Sequence, residues 1–368
     1  MLRLDLVEPF ETSFGRVLSR LIILSKLEAD GLEGWGEIVA GEAPLYSYET
    51  AGTVVHVVRK FFAPALLREP LRGLDDFVER LNPFRGHPMA RAGLELAYAD
   101  MLARAGGVSV AKLLGGVRDR IPAGVSLGIQ TEIAELMDRI DRYVDLGYQR
   151  IKVKIKPGWD VAVVDAARRR HPDIRLSVDA NAAYSLADKD HLKKLDAFGL
   201  LMIEQPLEHD DLLDHARLQR EISTPICLDE SIGGARAARQ ALELESCRVI
   251  NLKVGRVGGY SPALAIHEIC RSRGVPLWCG GMLESGIGRA HNIAVASLPG
   301  FTLPGDISAS RRYFARDIIV PEVEVDGSGM VEVPKGPGFG FEIDRDYLAA
   351  ATETVERFTL RGERVSVS

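Results

Sequence analysis

Five charged residues, Lys154, Asp179, Glu204, Asp229 and Lys253, each close a short apolar run, at intervals of 25, 25, 25 and 24 residues. That interval suits one strand, one helix and two turns, so a repeat architecture has to be considered first. What repeats is a position, not a sequence, and it carries charge where a strand should stop.

From Pro122 onward the chain alternates between two patterns. Short apolar runs at 123–128, 150–155, 174–179, 200–204, 225–229, 248–253 and 275–280 are predicted strands, and an eighth begins near Phe301. Amphipathic stretches at 131–146, 159–170, 187–198, 210–222, 233–244, 260–273 and 284–298 are predicted helices. Such alternation implies parallel strands with crossover helices, and about eight units in roughly 200 residues favours a closed barrel over an open sheet. An open doubly wound sheet would carry a glycine-rich phosphate turn after an early strand. Neither GxGxxG nor GxxxxGK[ST] occurs at a strand-to-helix junction.

Before Pro122 the pattern differs. Strand-like runs at 17–29 and 34–40 flank the turn Asp30-Gly31, and helical stretches follow at 47–62, 74–81 and 88–105. Lys112 to Gly116 reads as a helix end and linker. The predicted organisation is an α+β capping domain over 1–118, a barrel over 119–311 with its site at the strand C-termini, and a segment 312–368 returning to the cap. A length of 368 residues exceeds what one core usually supports, in keeping with a large domain and a smaller companion.

A hydrophobic fraction of 46% with 27% charged residues argues against disorder. The net charge of −6 and the lack of a long basic run argue against a nucleic-acid partner; the densest cluster, Arg168-Arg169-Arg170, reads as a helix C-terminus. Cys227, Cys247, Cys270 and Cys279 form no CxxC pair and read as reduced packing residues of a cytoplasmic protein. The first ten residues are broken by Arg3, Asp5 and Glu8, unlike a signal peptide, and no apolar stretch is long enough to span a bilayer.

Strand parity decides where the five charges point. In Ile151-Lys152-Val153-Lys154-Ile155 the aliphatic residues share one face and the lysines the other. The apolar face has to meet the helices, so both lysines point into the barrel. The same argument turns Asp179 with Ser177, Asp229 with Cys227, and Lys253 with Asn251 inward. Taken singly, Lys-Val-Lys could be a solvated edge strand and an Asp before a helix an N-cap. Neither reading explains recurrence on consecutive inward strand ends, where charges must compensate one another or bind a metal.

Asp179, Glu204 and Asp229 offer only hard oxygen ligands, which suit Mg²⁺, with Mn²⁺ or another divalent ion able to substitute. Lys154 and Lys253 would flank that ion from opposite sides. A lysine is a base only when neutral, and like-charge repulsion from Lys152 is expected to lower the pKa of Lys154. An ion between two lysines fits removal of a proton α to a carboxylate.

RIKVKIKPGWD (150–160), VDANAAYS (178–185), IEQPL (203–207), CLDES (227–231), NLKVGRVGG (251–259) and CGGMLESGIGRAHN (279–292) carry a family resemblance. LPGDISAS (303–310) and FETSFG (10–15) extend it across nearly the whole chain. The sequence resembles the enolase superfamily, muconate-lactonizing subgroup, and within it the N-succinylamino acid racemase and o-succinylbenzoate synthase group. This resemblance implies a modified TIM barrel, (β/α)7β, with an α+β cap; Mg²⁺ on Asp179, Glu204 and Asp229; and Lys154 and Lys253 as the facing pair. It also implies substrate contacts near Ser126, Asn181, Gly281 and Met282, with specificity from the cap loop around Phe14.

A mandelate-racemase-like site would need a histidine at the end of strand seven, and Leu277-Trp278-Cys279-Gly280 has none. Dipeptide epimerases carry Asp-x-Asp near strand eight, where Gly305-Asp306-Ile307-Ser308 has one Asp. The function implied is Mg²⁺-dependent o-succinylbenzoate synthesis in menaquinone biosynthesis, a dehydration through α-proton abstraction and an enediolate. N-succinylamino acid racemisation in the same site is a second activity. Racemisation as the main role, a muconate cycloisomerase-like enzyme, and a catalytically silent metal-binding barrel are the alternatives. Arg256, three residues after Lys253, would depress the pKa of Lys253 and favour a racemase or else lie on the surface; Glu284 reads as structural. The expected partners are a small-molecule carboxylate and further copies of the chain, with no nucleic acid and no membrane.

Overall fold

The computed structural model describes residues 1–359 and 364–365. Its first element is a strand not anticipated above, β1 (Leu2–Thr12), although the signal is present: Leu2 and Leu4 are buried while Arg3 and Asp5 between and beyond them are exposed. β1 pairs antiparallel with β2 (Gly15–Ala29), and β2 with β3 (Leu32–Ile38). Asp30 and Gly31 join the second pair, both with positive φ (50° and 77°), the conformation a two-residue hairpin turn requires.

The expected helix at 47–62 begins later and runs on. Thr50 and Thr53 form a reciprocal cap for Ala51–Val57, and the helix continues through a wide turn, Val58–Phe62, into Ala63–Leu66. Leu74–Leu81 and Pro88–Ala105 follow. The long helix lies directly on β3, because facing glycines let the two backbones meet: a Cβ on Gly36 would stand 2.1 Å from the Gly93 carbonyl oxygen.

Seven parallel strands come next in strict chain order: Gly124–Leu127, Arg150–Lys154, Leu176–Asp179, Ile203–Glu204, Ile226–Leu228, Val249–Leu252 and Leu277–Cys279. Helices Ile133–Asp145, Val161–Arg170, Leu213–Glu221, Ala235–Glu243, Tyr260–Ser272 and Gly286–Ala296 occupy the predicted gaps. The exception is 187–198, which winds as short 3₁₀ and α pieces; there Leu192 and Leu195 are buried in a run of charged residues, too narrow an apolar stripe to hold a full helix.

Among the described residues no regular eighth strand joins this sheet. Instead a segment from Phe301 bridges the sheet's two edges: Phe301 pairs with Leu277, and Gly305 with Ala123. The Asp306 amide donates to the Cys279 carbonyl at 2.9 Å and the Gly124 amide to the Gly305 carbonyl at 2.6 Å. After it the chain returns to the first module. Met330–Glu332 pairs with Arg120–Pro122, the Phe339 amide donates to Asp100 Oδ1 (2.7 Å), and the Met1 amino group donates to the Thr354 carbonyl (2.7 Å). No described helix is long and apolar enough to cross a membrane.

Inside the ring, Met202, Cys227, Val249 and Trp278 form their own buried cluster, and the Trp278 indole N–H meets Cys227 Sγ at 3.3 Å. All four cysteines are free thiols. Outside the ring, two cap carboxylates close helix ends. Glu95 accepts from the Ser261 amide and hydroxyl at the start of Tyr260–Ser272, and Glu37 accepts from Ser285 and Gly288 at the start of Gly286–Ala296.

Two outcomes follow from this packing. Gly36→Ala is expected to lower the unfolding free energy by about 3 kcal/mol or more, read by urea denaturation, since the clash is with backbone and no rotamer relieves it. Burial, with Glu284 beside it, pushes the Glu37 carboxyl from 4.5 up to about 8. Between those values the folded protein keeps a proton that the unfolded chain has released, so stability falls as pH rises through the window. Glu37→Gln should flatten that fall between pH 5 and pH 8 by at most about 4 kcal/mol, measured as unfolding free energy against pH.

Candidate active site

Backbone strain collects at the C-terminal ends of the parallel strands. Asn181, Ala182, Gln205 and Leu283 all hold positive φ (43°, 60°, 37° and 58°) immediately after strands three, four and seven. Non-glycine residues in that region persist only where their surroundings enforce it, and they gather at functional sites.

The strand register sets the charged side chains side by side. Lys154 pairs with Asp179 across strands two and three, and Asp179 with Glu204 across three and four. Asp229 follows strand five and Lys253 follows strand six. Each is at least nine-tenths buried, as is Lys152. At one end of the carboxylate row Lys154 Nζ lies 2.6 Å from Asp179 Oδ2 and 2.6 Å from Asn181 Oδ1. At the other end Lys253 Nζ lies 2.8 Å from Asp229 Oδ2. Between them Lys152 Nζ reaches Glu204 (2.9 Å), Asp179 (3.2 Å) and Asp306 (2.6 Å).

Electrostatics follow from that crowding. Burial works against the charge on Lys152, but Asp306, Glu204 and Asp179 outweigh it and hold the pKa above the ordinary lysine range. The charge of Lys152 is therefore matched by carboxylates. Burial likewise opposes the Lys253 charge, and Tyr46, Glu230, Glu204 and Asp179 together raise its pKa. Despite burial, Lys154, Lys152 and Lys253 hold the Asp179 carboxyl low. Burial and then Asp179 push both Glu204 and Glu230 up.

Arg256 corrects an expectation. It is neither a surface residue nor a cause of a lowered Lys253 pKa. Its guanidinium is buried, ion-paired with Asp229, and donates to the Asn251 carbonyl (2.8 Å) and the Ile232 carbonyl (3.1 Å). The turn Val254–Val257 folds it back toward strand six, so that it supports the Asp229 carboxylate.

Ser126 sits opposite Lys152 on strand one, its hydroxyl buried without a hydrogen-bond partner. Asn181 links Lys154 to Glu230, donating to Glu230 Oε1 at 2.9 Å. Gly281 has room for no Cβ, which would lie 2.8 Å from the Asp306 carbonyl oxygen. The Met282 amide donates to Glu284 Oε2 at 2.8 Å, and its side chain packs on the cap core. Phe14 is half-buried at the turn between β1 and β2; the neighbouring Ser13 hydroxyl donates to the Asn181 carbonyl at 3.1 Å, tying that turn to the site.

Several groups at the site escaped the sequence reading. Tyr46, from the cap, donates to Asp229 Oδ1 (3.0 Å) and receives Lys253 Nζ (3.1 Å), with that ammonium 4.5 Å from the ring centroid. No periodicity in the cap marks it. Gln205 Oε1 accepts from the Asp229 amide at 3.0 Å and so fixes the start of the strand-five loop. Glu230 and Asp306 adjoin the assigned residues but lie off the parity pattern, where an irregular strand end turns them inward.

The donor set fits a hard divalent cation. Asp179, Glu204 and Asp229 present carboxylate oxygens from three adjacent strand ends. Glu230 Oε2 is a buried oxygen without a hydrogen-bond partner, and burial, then Asp179, pushes Glu204 and Glu230 up, the direction a bound cation would oppose. Glu208, His209 and Asp210 bring their ligand atoms within 4.8 Å of one another, but all three are exposed, where acidic groups cluster without an ion. A groove of about 500 Å³ beside them, lined by Asp210, Asp211, Leu213, Gln240, Glu243 and Leu244, contains none of the five strand-end charges.

Comparison with known proteins agrees with this fold. Residues 2–115 match the mandelate racemase / muconate lactonizing enzyme N-terminal domain, and residues 135–347 the enolase C-terminal domain-like family. The chain is 52% identical to an o-succinylbenzoate synthase of Geobacillus stearothermophilus, over 97% of this chain and 95% of that one. It is 47% identical to an N-succinylamino acid racemase of Thermus thermophilus, over 100% and 98%. A solved enolase-superfamily member from Listeria innocua superposes with a TM-score of 0.92 at 41% identity, covering 96% and 95%. The chain belongs to the enolase superfamily, with the two-domain arrangement of the mandelate racemase and muconate lactonizing enzymes.

Proposed function

We propose that this protein is an o-succinylbenzoate synthase of menaquinone biosynthesis, dependent on Mg²⁺, and that the same site racemises N-succinylamino acids. The observation that carries the reading is the placement of Lys154 and Lys253 at opposite ends of one row of carboxylates. Relatives of both names, at 52% and 47% identity, support the pairing of activities.

Charge balance favours such substrates. Asp179, Glu204, Asp229, Glu230 and Asp306 are matched in number by Arg150, Lys152, Lys154, Lys253 and Arg256. A divalent ion on Asp179, Glu204 and Asp229 would supply Lewis-acid stabilisation for a substrate carboxylate as charge builds on it. The surplus positive charge then suits an anionic substrate, and both substrate types pair a succinyl carboxylate with a second carboxylate.

Proton movement falls to the lysines. Lys154, in its neutral form, takes the α-proton, and in the dehydration returns it to the departing hydroxyl on the same face. Lys253, in its cationic form, faces the developing negative charge from the other side. Racemisation needs both, one removing the proton and the other delivering it to the opposite face. Lys152 stays charged and is placed to hold a substrate oxygen, with the Ser126 hydroxyl beside it. Tyr46 and the β1–β2 turn, both from the cap, cover the strand ends and exclude water.

With Mg²⁺ present, the protein should convert the succinyl-hydroxycyclohexadiene carboxylate to o-succinylbenzoate and exchange the α-proton of N-succinylamino acids in D₂O, both reactions stopping with EDTA and returning with Mg²⁺. Absence of product and of exchange would overturn the proposal. Lys253→Ala should lower racemisation by about 10²–10⁴-fold while leaving α-proton exchange from one enantiomer measurable by NMR. Unchanged racemisation in that variant would rule out the two-base assignment.

A further inference from the structure

The loop joining strand seven to helix Gly286–Ala296 carries Gly281 and Met282 and includes Leu283 in a strained left-handed conformation (φ 58°). Such a conformation has to be held from outside. Part of the hold is local: Glu284 accepts from the Met282 amide (2.8 Å) and from Asn292 Nδ2 (2.9 Å), while Arg289 donates to the Glu284 carbonyl (2.8 Å).

The remainder comes from the cap. Glu37 is 1% exposed, and its Oε2 accepts from the Ser285 hydroxyl (2.6 Å), the Ser285 amide (3.1 Å) and the Gly288 amide (3.1 Å). Gly288 makes this approach possible, since a Cβ there would lie 2.8 Å from Glu37 Oε2. Glu37 is itself immobilised, because β3 lies against the helix Pro88–Ala105 at glycine contact distance. Facing it are Glu284 from the loop and Arg20 from β2.

We propose that Glu37 is a positioning residue: by holding Ser285 and Gly288 it sets the 281–285 loop, and so makes substrate affinity depend on how the cap is seated. This rests on the reading that Gly281 and Met282 face the substrate.

Glu37→Met keeps the length of the side chain and removes its acceptors, whereas Glu37→Gln retains an acceptor for the same donors. Asp196→Ala serves as the control. Asp196 accepts from the Ser223 and Thr224 amides and the Thr224 hydroxyl, a similar set of bonds placed just before strand five at the opposite end of the barrel.

In the Mg²⁺-loaded enzyme, Glu37→Met is expected to raise KM about tenfold with kcat within about threefold, and to speed amide exchange in the peptide spanning 281–288 by about tenfold or more. Glu37→Gln should restore both, and Asp196→Ala should lower Tm without moving KM. Should Glu37→Met fail to fold, Glu37→Asp, which draws the acceptor back by one methylene, carries the same expectation. Unchanged exchange at 281–288, a KM shift no larger than in Asp196→Ala, or a fall in kcat alone would each overturn the proposal. If the wild type turns over neither substrate, the proposed function fails, while exchange at 281–288 still decides whether Glu37 holds the loop.

Discussion

Compensation of buried charge governs this structure. Carboxylates at three adjacent strand ends, with Glu230 and Asp306 close by, would be prohibitively costly to bury alone. Here each meets a lysine, an arginine or an amide donor. Lys152 satisfies three acids at once, Arg256 and Tyr46 share Asp229, and Asn251 Nδ2 donates to Glu204 Oε1 at 2.7 Å. The barrel must close accurately for these contacts to exist together, so the interior chemistry and the sheet register constrain each other.

The same need explains how the cap is attached. An apolar seam alone would let the two modules slide, whereas Glu37 and Glu95 fasten the cap to backbone donors at the starts of two successive barrel helices. Helix N-termini leave amides unpaired, and a carboxylate from a neighbouring element meets that need. The C-terminal return adds a third tie, where Asp100 accepts from the Trp35 amide of β3 and the Phe339 amide. Cap, barrel and tail are thus joined through buried acids whose partners are main-chain groups.

Much of the barrel could be read in advance because each strand obeys a two-residue alternation and each helix an apolar stripe. Lys152 and Lys154 lie on the face that alternation assigns, and the 25-residue interval turns out to be a register of neighbouring strand ends. Legibility stopped where geometry is not periodic. Gln205 turns toward the Asp229 amide from a positive φ that no pattern of polarity encodes. Tyr46 reaches Lys253 from 207 residues away, through a cap loop without a signature. Arg256 misled because a short turn after strand six carries it inward, where a longer loop would have exposed it. β1 carries a plain alternation, in which Arg3 and Asp5 are the exposed members.

Trp278 has a consequence of another kind. Its indole is fully buried across the middle of the barrel, with the Arg150 guanidinium 4.1 Å and the Lys152 ammonium 4.8 Å from its ring centroid. It forms a floor. Above it lies Lys152, and below it the ring is filled by Met202, Cys227 and Val249. One aromatic side chain thus backs the whole row of charges from below, and a smaller residue there would leave a void against Arg150, Lys152 and Cys227.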